Sequence, residues 1–172
     1  MTEAAVQVED LQTEARRRVR EYVGIARGLG IALPEVAVVF DLKGMAAGQA
    51  RLHDGAGPRI RLNPVLLAEN GEEFLTHTIP HEVAHLAVFY HYRRRVRPHG
   101  PEWQRIMRRF GAEPRATHTF DVENSRTRRL RTFRYACPCR EVELTSIRHN
   151  RARRGVRYYC NECGGRLRAV EG

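Results

Sequence analysis

The run Ile79-Pro-His-Glu-Val-Ala-His-Leu-Ala-Val-Phe-Tyr90 decides how this chain is read. Inside it stands His81-Glu82-Val83-Ala84-His85, two histidines four residues apart with a glutamate beside the first. On a helix that spacing puts both imidazoles one turn apart on one face. Two imidazoles so placed can hold one Zn²⁺, and the adjacent Glu82 can reach a water beside it. Such an ion lowers the pKa of a bound water to about 7 and polarises a carbonyl. The carboxylate takes the water's proton and passes it to a leaving amine. Phe74, Leu75, Ile79, Val83, Leu86 and Phe89 make the segment apolar enough for a core helix. Two histidines and a glutamate are costly to bury there unless they are paired or ligated. The plain alternative is a helix whose polar residues simply face water.

Working outward, the helical pattern runs from about Glu72 to Tyr92, and Pro80 is expected to bend it or delay its start. Asn63-Pro64 reads as a cap and first turn of a short preceding helix. Upstream, Leu11, Ala15, Val19, Tyr22, Ala26 and Leu29 recur at steps of three and four, an amphipathic helix closed by Gly28 and Gly30. Val36–Phe40 is a short β-branched run and Arg59–Leu62 alternates with period two, so both read as strands. Gln49–Leu52 pairs with the latter across the turn His53–Pro58. Downstream, Arg93–Pro98 is a basic loop, and a helix begins at Pro101 with Trp103, Ile106, Met107 and Phe110 on one face. Gly111 and Pro114 end it. Residues 115–132 are polar and arginine-rich and read as a linker.

A catalytic zinc usually takes three protein ligands and keeps one position open. His91 has the metzincin spacing, but that pattern needs a glycine at position 88 to turn the chain back, and Val88 stands there. On a continuing helix, six residues rotate His91 off the ligand face. Glu102 offers a carboxylate from the next helix. His99, in His99-Gly-Pro-Glu-Trp103, sits in a loop from which a side chain can swing back, and it is the preferred third ligand. His77, one turn before His81, is a residue beside the site or facing substrate.

All four cysteines lie late, as Cys137-Pro-Cys139 and Cys160-Asn-Glu-Cys163. Close pairs in a chain with no secretory signal are more often metal ligands than disulfides. Two pairs across a β-hairpin form a zinc ribbon, and four thiolates suit a tetrahedral structural zinc. His149 is an alternative to one of the first pair. So small a module has little core, and the metal would supply much of its folding energy.

The formal net charge of the 172 residues is +10, unevenly spread. Residues 1–100 carry 13 basic and 12 acidic side chains, a net of +1; residues 101–172 carry 17 arginines and 8 acids, a net of +9. A one-sided basic surface is the footprint of a polyanion binder; an arginine-rich, merely solvated face is the plain reading. In the cysteine module, Arg148, Asn150, Arg151, Arg153, Arg154 and Arg157 are candidates for phosphate contact, with Tyr158 for base stacking. No run of about 18 apolar residues suggests a membrane span, and the expected location is the cytoplasm, with association to the nucleoid open.

HEVAHLAVFY, HGPEWQRIM and LTSIRHNRARRGVRYYCNECGGRL together resemble the SprT family of zinc metallopeptidases, most strongly over residues 74–110 and 133–168. The resemblance implies an α+β, minimal zincin-like domain, a small antiparallel-containing sheet packed on helices, followed by a zinc-ribbon β module. It implies His81, His85 and His99 as ligands of a catalytic zinc and Glu82 as catalyst. Animal relatives of the Spartan type are DNA-dependent proteases that degrade proteins crosslinked to DNA. One departure is Val142, where some similar bacterial sequences carry a histidine, so no ligand comes from that position.

The expected organisation is a metallopeptidase domain over residues 1–132, linker included, and a ribbon over 133–172. The expected function is a zinc-dependent endopeptidase acting on DNA-bound or DNA-crosslinked proteins, with two Zn²⁺, one catalytic and one structural. Its partners would be a protein substrate and DNA, single-stranded or junction-containing. The competing readings are a nucleic-acid-binding adaptor with a little-used site and a metallopeptidase indifferent to DNA.

Overall fold

A computed structural model of the chain describes residues 3–52, 57–92, 96–127 and 131–170. The expected turn at 53–56 and residues 93–95 of the expected basic loop lie outside the described residues. The chain is α+β and forms two compact units, Met1–Thr127 and Arg128–Gly172.

In the first unit, α1 (Glu3–Gly28) lays Ala15, Val19, Val23 and Ala26 on the core, the stripe its periodicity predicts. Strands β1 (Ala37–Val39), β2 (Gly48–Arg51) and β3 (Arg59–Leu62) form a sheet in the order β1-β3-β2. β1 runs parallel to β3, and β2 pairs antiparallel with β3, Ala50 opposite Ile60. Ile60 and Leu62 are fully buried while Arg59 and Arg61 face outward, as alternation requires. β2 is an edge strand, and it packs on the helix that carries His81 and His85.

That helix is α2 (Pro64–Tyr92), broken at Gly71, whose torsions (φ 45°, ψ −117°) are not helical. The break separates a short first segment from the long core helix. The non-helical torsions fall at Gly71 and not at Pro80, so proline is carried inside the helix, buried against the core. Helix α3 (Pro101–Arg109) has proline in its first turn and buries Trp103, Ile106 and Met107.

Asn63 ties three segments together from a buried position. Its Oδ1 accepts the Val65 and Leu66 N–H groups, capping α2. Its Nδ2 donates to the carbonyls of Gly44 and Ala46 and to Ser125 Oγ. Ser125 also donates to the Gly44 carbonyl.

The expected linker is therefore only partly a linker. Residues 115–127 belong to the first unit: Phe120 stacks on Phe74 at 6.0 Å, Val122 packs on the core, and Ser125 is buried. Residues 128–130 lie outside the described residues.

The second unit holds β4 (Thr132–Ala136), β5 (Glu141–Thr145), α4 (Ser146–Arg153) and the two-residue β6 (Arg168–Ala169). β4 pairs antiparallel with both β5 and β6. The expected β-hairpin module thus carries a helix, α4, between its cysteine pairs. Among its described residues Tyr135, Leu144 and Cys160 are buried, a core too small to stand on hydrophobic burial alone.

Candidate metal centres

Helix α2 presents His81 and His85 on one face, and His99 reaches them from the turn before α3. The three Nε2 atoms lie 3.1 Å from one another. A tetrahedral ion with Zn–N bonds of ~2.0–2.1 Å needs nitrogens roughly 3.3–3.4 Å apart, so the donor set fits zinc with a fourth position left over.

The protonation chemistry agrees. His81 Nδ1 lies 3.2 Å from the Arg115 carbonyl, which can only accept, so that nitrogen carries the proton and Nε2 keeps its lone pair. Burial first, and His99 second, push the His81 imidazolium down to about 4. Burial, with His81 and His99, takes His85 down to about 3, and burial also lowers His99. Three neutral rings aim lone pairs at one point, and a cation there relieves their repulsion.

His99 pays for its position in backbone strain. Its φ is 55°, the left-handed region, which a β-carbon disfavours. The Gly100 N–H bonds to the Arg97 carbonyl at 3.0 Å, closing a tight turn with Pro98 and His99 at its centre. A Cβ on Gly100 would meet that carbonyl at 2.9 Å, so glycine is needed there. Trp103 backs the triad. Its ring lies 4.8, 5.7 and 4.9 Å from the His81, His85 and His99 rings, and its Nε1–H donates to the His81 carbonyl at 3.3 Å.

Glu82 lies beside the triad, 6% exposed. One carboxylate oxygen accepts the Ala50 N–H of edge strand β2 at 2.8 Å. Burial raises its pKa to about 7, against the lowering effect of that N–H. β2 comes this close because of Gly48: a Cβ there would stand 2.6 Å from Glu82 Cγ and 2.7 Å from Oε1.

The other third-ligand candidates stay apart from the cluster. His91 is exposed near the end of α2 and stacks edge-on against Tyr92, and Glu102 sits in the first turn of α3. His77 lines a cleft on the far side of His81, with His118 and Arg115. Sequence reasoning missed Gly48, the Ala50 N–H and the Arg115 carbonyl. Two of these are backbone groups that any residue supplies, so no side-chain signal marks them.

Cys137, Cys139, Cys160 and Cys163 converge as the second candidate centre. Cys137 and Cys139 sulfurs are 3.3 Å apart, and Cys139 and Cys160 3.6 Å, too far for a disulfide and near the edge of a tetrahedral thiolate site. Backbone N–H groups of Cys163 and Glu162 pull the Cys160 thiol down to about 6, favouring the ligating thiolate. His149 does not join this site. It stacks flat on Phe133 at 3.7 Å, and its Nδ1 meets Tyr135 Oη at 3.1 Å. Arg148, Asn150, Arg151, Arg153, Arg154 and Arg157 are exposed. Tyr158 is the half-buried tyrosine, beneath Arg148 at 6.0 Å, while Tyr159 is 55% exposed.

Comparison with known proteins meets this geometry from the other side. The family model described as SprT-like family matches residues 9–127. The chain belongs to the SprT-like family. It is 43% identical over 160 residues to Protein SprT of Shigella boydii and to Protein SprT of Escherichia coli K12, covering 91% of this chain and 93% of each relative. No solved structure matches it. In this SprT-like chain the matched region holds the histidine triad, and the four-cysteine unit, with its small antiparallel sheet consistent with a zinc ribbon, follows it. Among the described residues no helix is long and apolar enough to cross a membrane.

Proposed function

We propose that the chain is a zinc-dependent endopeptidase that acts on proteins bound to DNA. The observation that carries the reading is three Nε2 atoms at 3.1 Å spacing beside a buried carboxylate, in an open cleft. His81, His85 and His99 would hold the zinc, and Cys137, Cys139, Cys160 and Cys163 a structural one. Bound zinc supplies Lewis acidity, lowering a water's pKa and polarising the scissile carbonyl.

Glu82 does the proton work. Its carboxylate would accept a proton from the attacking water and return it to the leaving amine. The Ala50 N–H holds the carboxylate in place. Trp103 and the Arg115 carbonyl fix the rings that carry the lone pairs. Edge strand β2 pairs with β3 on one side only, so its other edge can take an extended peptide across the site.

Recruitment to DNA is supported by the net +9 over residues 101–172 and by the exposed arginines of α4 and the stretch after it. Tyr159 is the better stacking residue, and Tyr158 a support for Arg148. Reduced thiolates suit the cytoplasm. The test is digestion of a basic DNA-binding protein by the zinc-loaded chain, with and without single-stranded DNA. Cleavage that needs DNA and weakens steeply with salt supports recruitment. Cleavage indifferent to DNA leaves a peptidase without it. DNA binding with no cleavage favours the adaptor.

A further inference from the structure

His81 and Glu82 border two clefts that differ in size and in the charge of their linings. The larger cleft, of about 980 Å³, borders His99 and is roomy enough for a side chain together with the peptide that carries it. Leu52, Val88, Phe89, Val96 and Trp103 line it, continuous with His81, Glu82 and His85. The smaller cleft, of about 420 Å³, mixes the charged side chains of Glu73, Glu113 and Arg115 with Met45, Phe120 and Val122. Phe89 is 45% exposed although its helix is otherwise buried along this stretch. It borders the larger cleft, with the Tyr90 ring edge-on against it at 5.4 Å.

β2 spans both clefts. Gly48 lines each; Gln49, Ala50 and Leu52 border the larger, apolar one, and Met45 to Ala47 the smaller one. A peptide adding to the free edge pairs most favourably antiparallel. Its amino-terminal half then lies beside Ala50 and Leu52, over the apolar cleft.

We propose that the apolar cleft is a specificity pocket for a large aliphatic or aromatic side chain on the amino side of the scissile bond. This rests on the peptidase reading above. The pocket offers five apolar walls and buries the incoming side chain next to the metal ligands. Discrimination between a large apolar side chain and glycine should therefore reach at least about tenfold, as one to a few methylenes give in hydrophobic pockets.

The test uses two readouts on the zinc-loaded chain. The first is affinity for an N-acyl-leucine hydroxamate against the N-acyl-glycine analogue, by calorimetry, in native protein and in Glu82→Gln. The hydroxamate group seeks the zinc and carries its side chain on the amino side, so no turnover is needed. The second is the map of bonds cut in a mixed peptide library. The expected result is at least tenfold tighter binding of the leucine compound, falling below about threefold in Phe89→Ser, and Leu, Phe or Met enriched before the cut bond. Phe89 is exposed enough for that substitution to leave the core intact. Equal affinities, or enrichment only after the bond, overturn the proposal. Leucine preference without any cleavage keeps the pocket and rejects the peptidase; cleavage without preference does the reverse.

Discussion

Replacing Gly48 with alanine tests the geometry around Glu82 more sharply than removing Glu82 itself. The new Cβ would stand 2.6 Å from Glu82 Cγ, 2.9 Å from Cδ and 2.7 Å from Oε1, where ordinary contact begins at 3.4 Å. Cγ must therefore retreat about 0.8 Å, the difference between 3.4 and 2.6 Å, and misplacement on the order of 1 Å costs about 100-fold in rate. Glu82 is buried and its carboxylate is tied to Ala50 N–H at 2.8 Å, so the shift cannot be absorbed by rotation into solvent. The cost in stability is that of modest overpacking, about 1–3 kcal/mol. The three atoms nearest the new Cβ all belong to Glu82, so zinc stoichiometry should not change. The assay is kcat/KM on a fluorogenic unfolded protein, with zinc content and a urea melt alongside. A loss of about 100-fold with one zinc retained at the triad is expected. Full activity in Gly48→Ala would refute the reasoning, since it would mean the carboxylate works equally well displaced.

Other outcomes follow from the same coordinates. With metal chelated, Glu82 should make the fold less stable as pH rises. Its folded pKa of about 7 exceeds the ordinary 4.5, so its contribution is full below pH 4.5 and lost as pH climbs through 7. Chelated Glu82→Gln should then exceed chelated native protein by on the order of 3 kcal/mol at pH 8, with little difference near pH 4.5; urea melts at the two values check this. Trp103→Phe should weaken zinc binding at the triad by roughly 10-fold or more while the fold survives, read by competition with a chromophoric chelator. Asn63→Ala removes the α2 cap and leaves the Ala46 carbonyl without its donor, and should cost about 2–3 kcal/mol in a denaturant melt. Cys160→Ser should take bound zinc from two equivalents to one and unfold the second unit, visible as lost amide dispersion for that unit alone.

The sequence made the site unusually legible because its chemistry needs side chains at fixed spacing. His81 and His85 share a helix face, and His99 needs a turn, which Pro98 and Gly100 announce. The α1 stripe and the β2–β3 pairing were equally readable, since each buries one face with a clear period. Residues 115–127 misled because they join the core through few side chains, Phe120, Val122 and the buried Ser125, amid a polar stretch. Helix α4 went unseen for the same physical reason: none of its residues is buried, so it has no apolar period to read. His149 looked like a spare ligand, yet its ring is taken up by Phe133 and Tyr135, partners visible only once β4 lies beside α4. Gly48 carries no signature at all, because its role is to leave room for a residue 34 positions away.

The most direct measurement of the central claim is cleavage of an unfolded protein by the zinc-loaded chain and by Glu82→Gln carrying the same zinc. The account predicts cleavage by the native chain that chelation stops and zinc restores, and a loss of at least about 1,000-fold in Glu82→Gln with both zincs retained. Equal rates in the two proteins, or a native rate untouched by chelation, would contradict it.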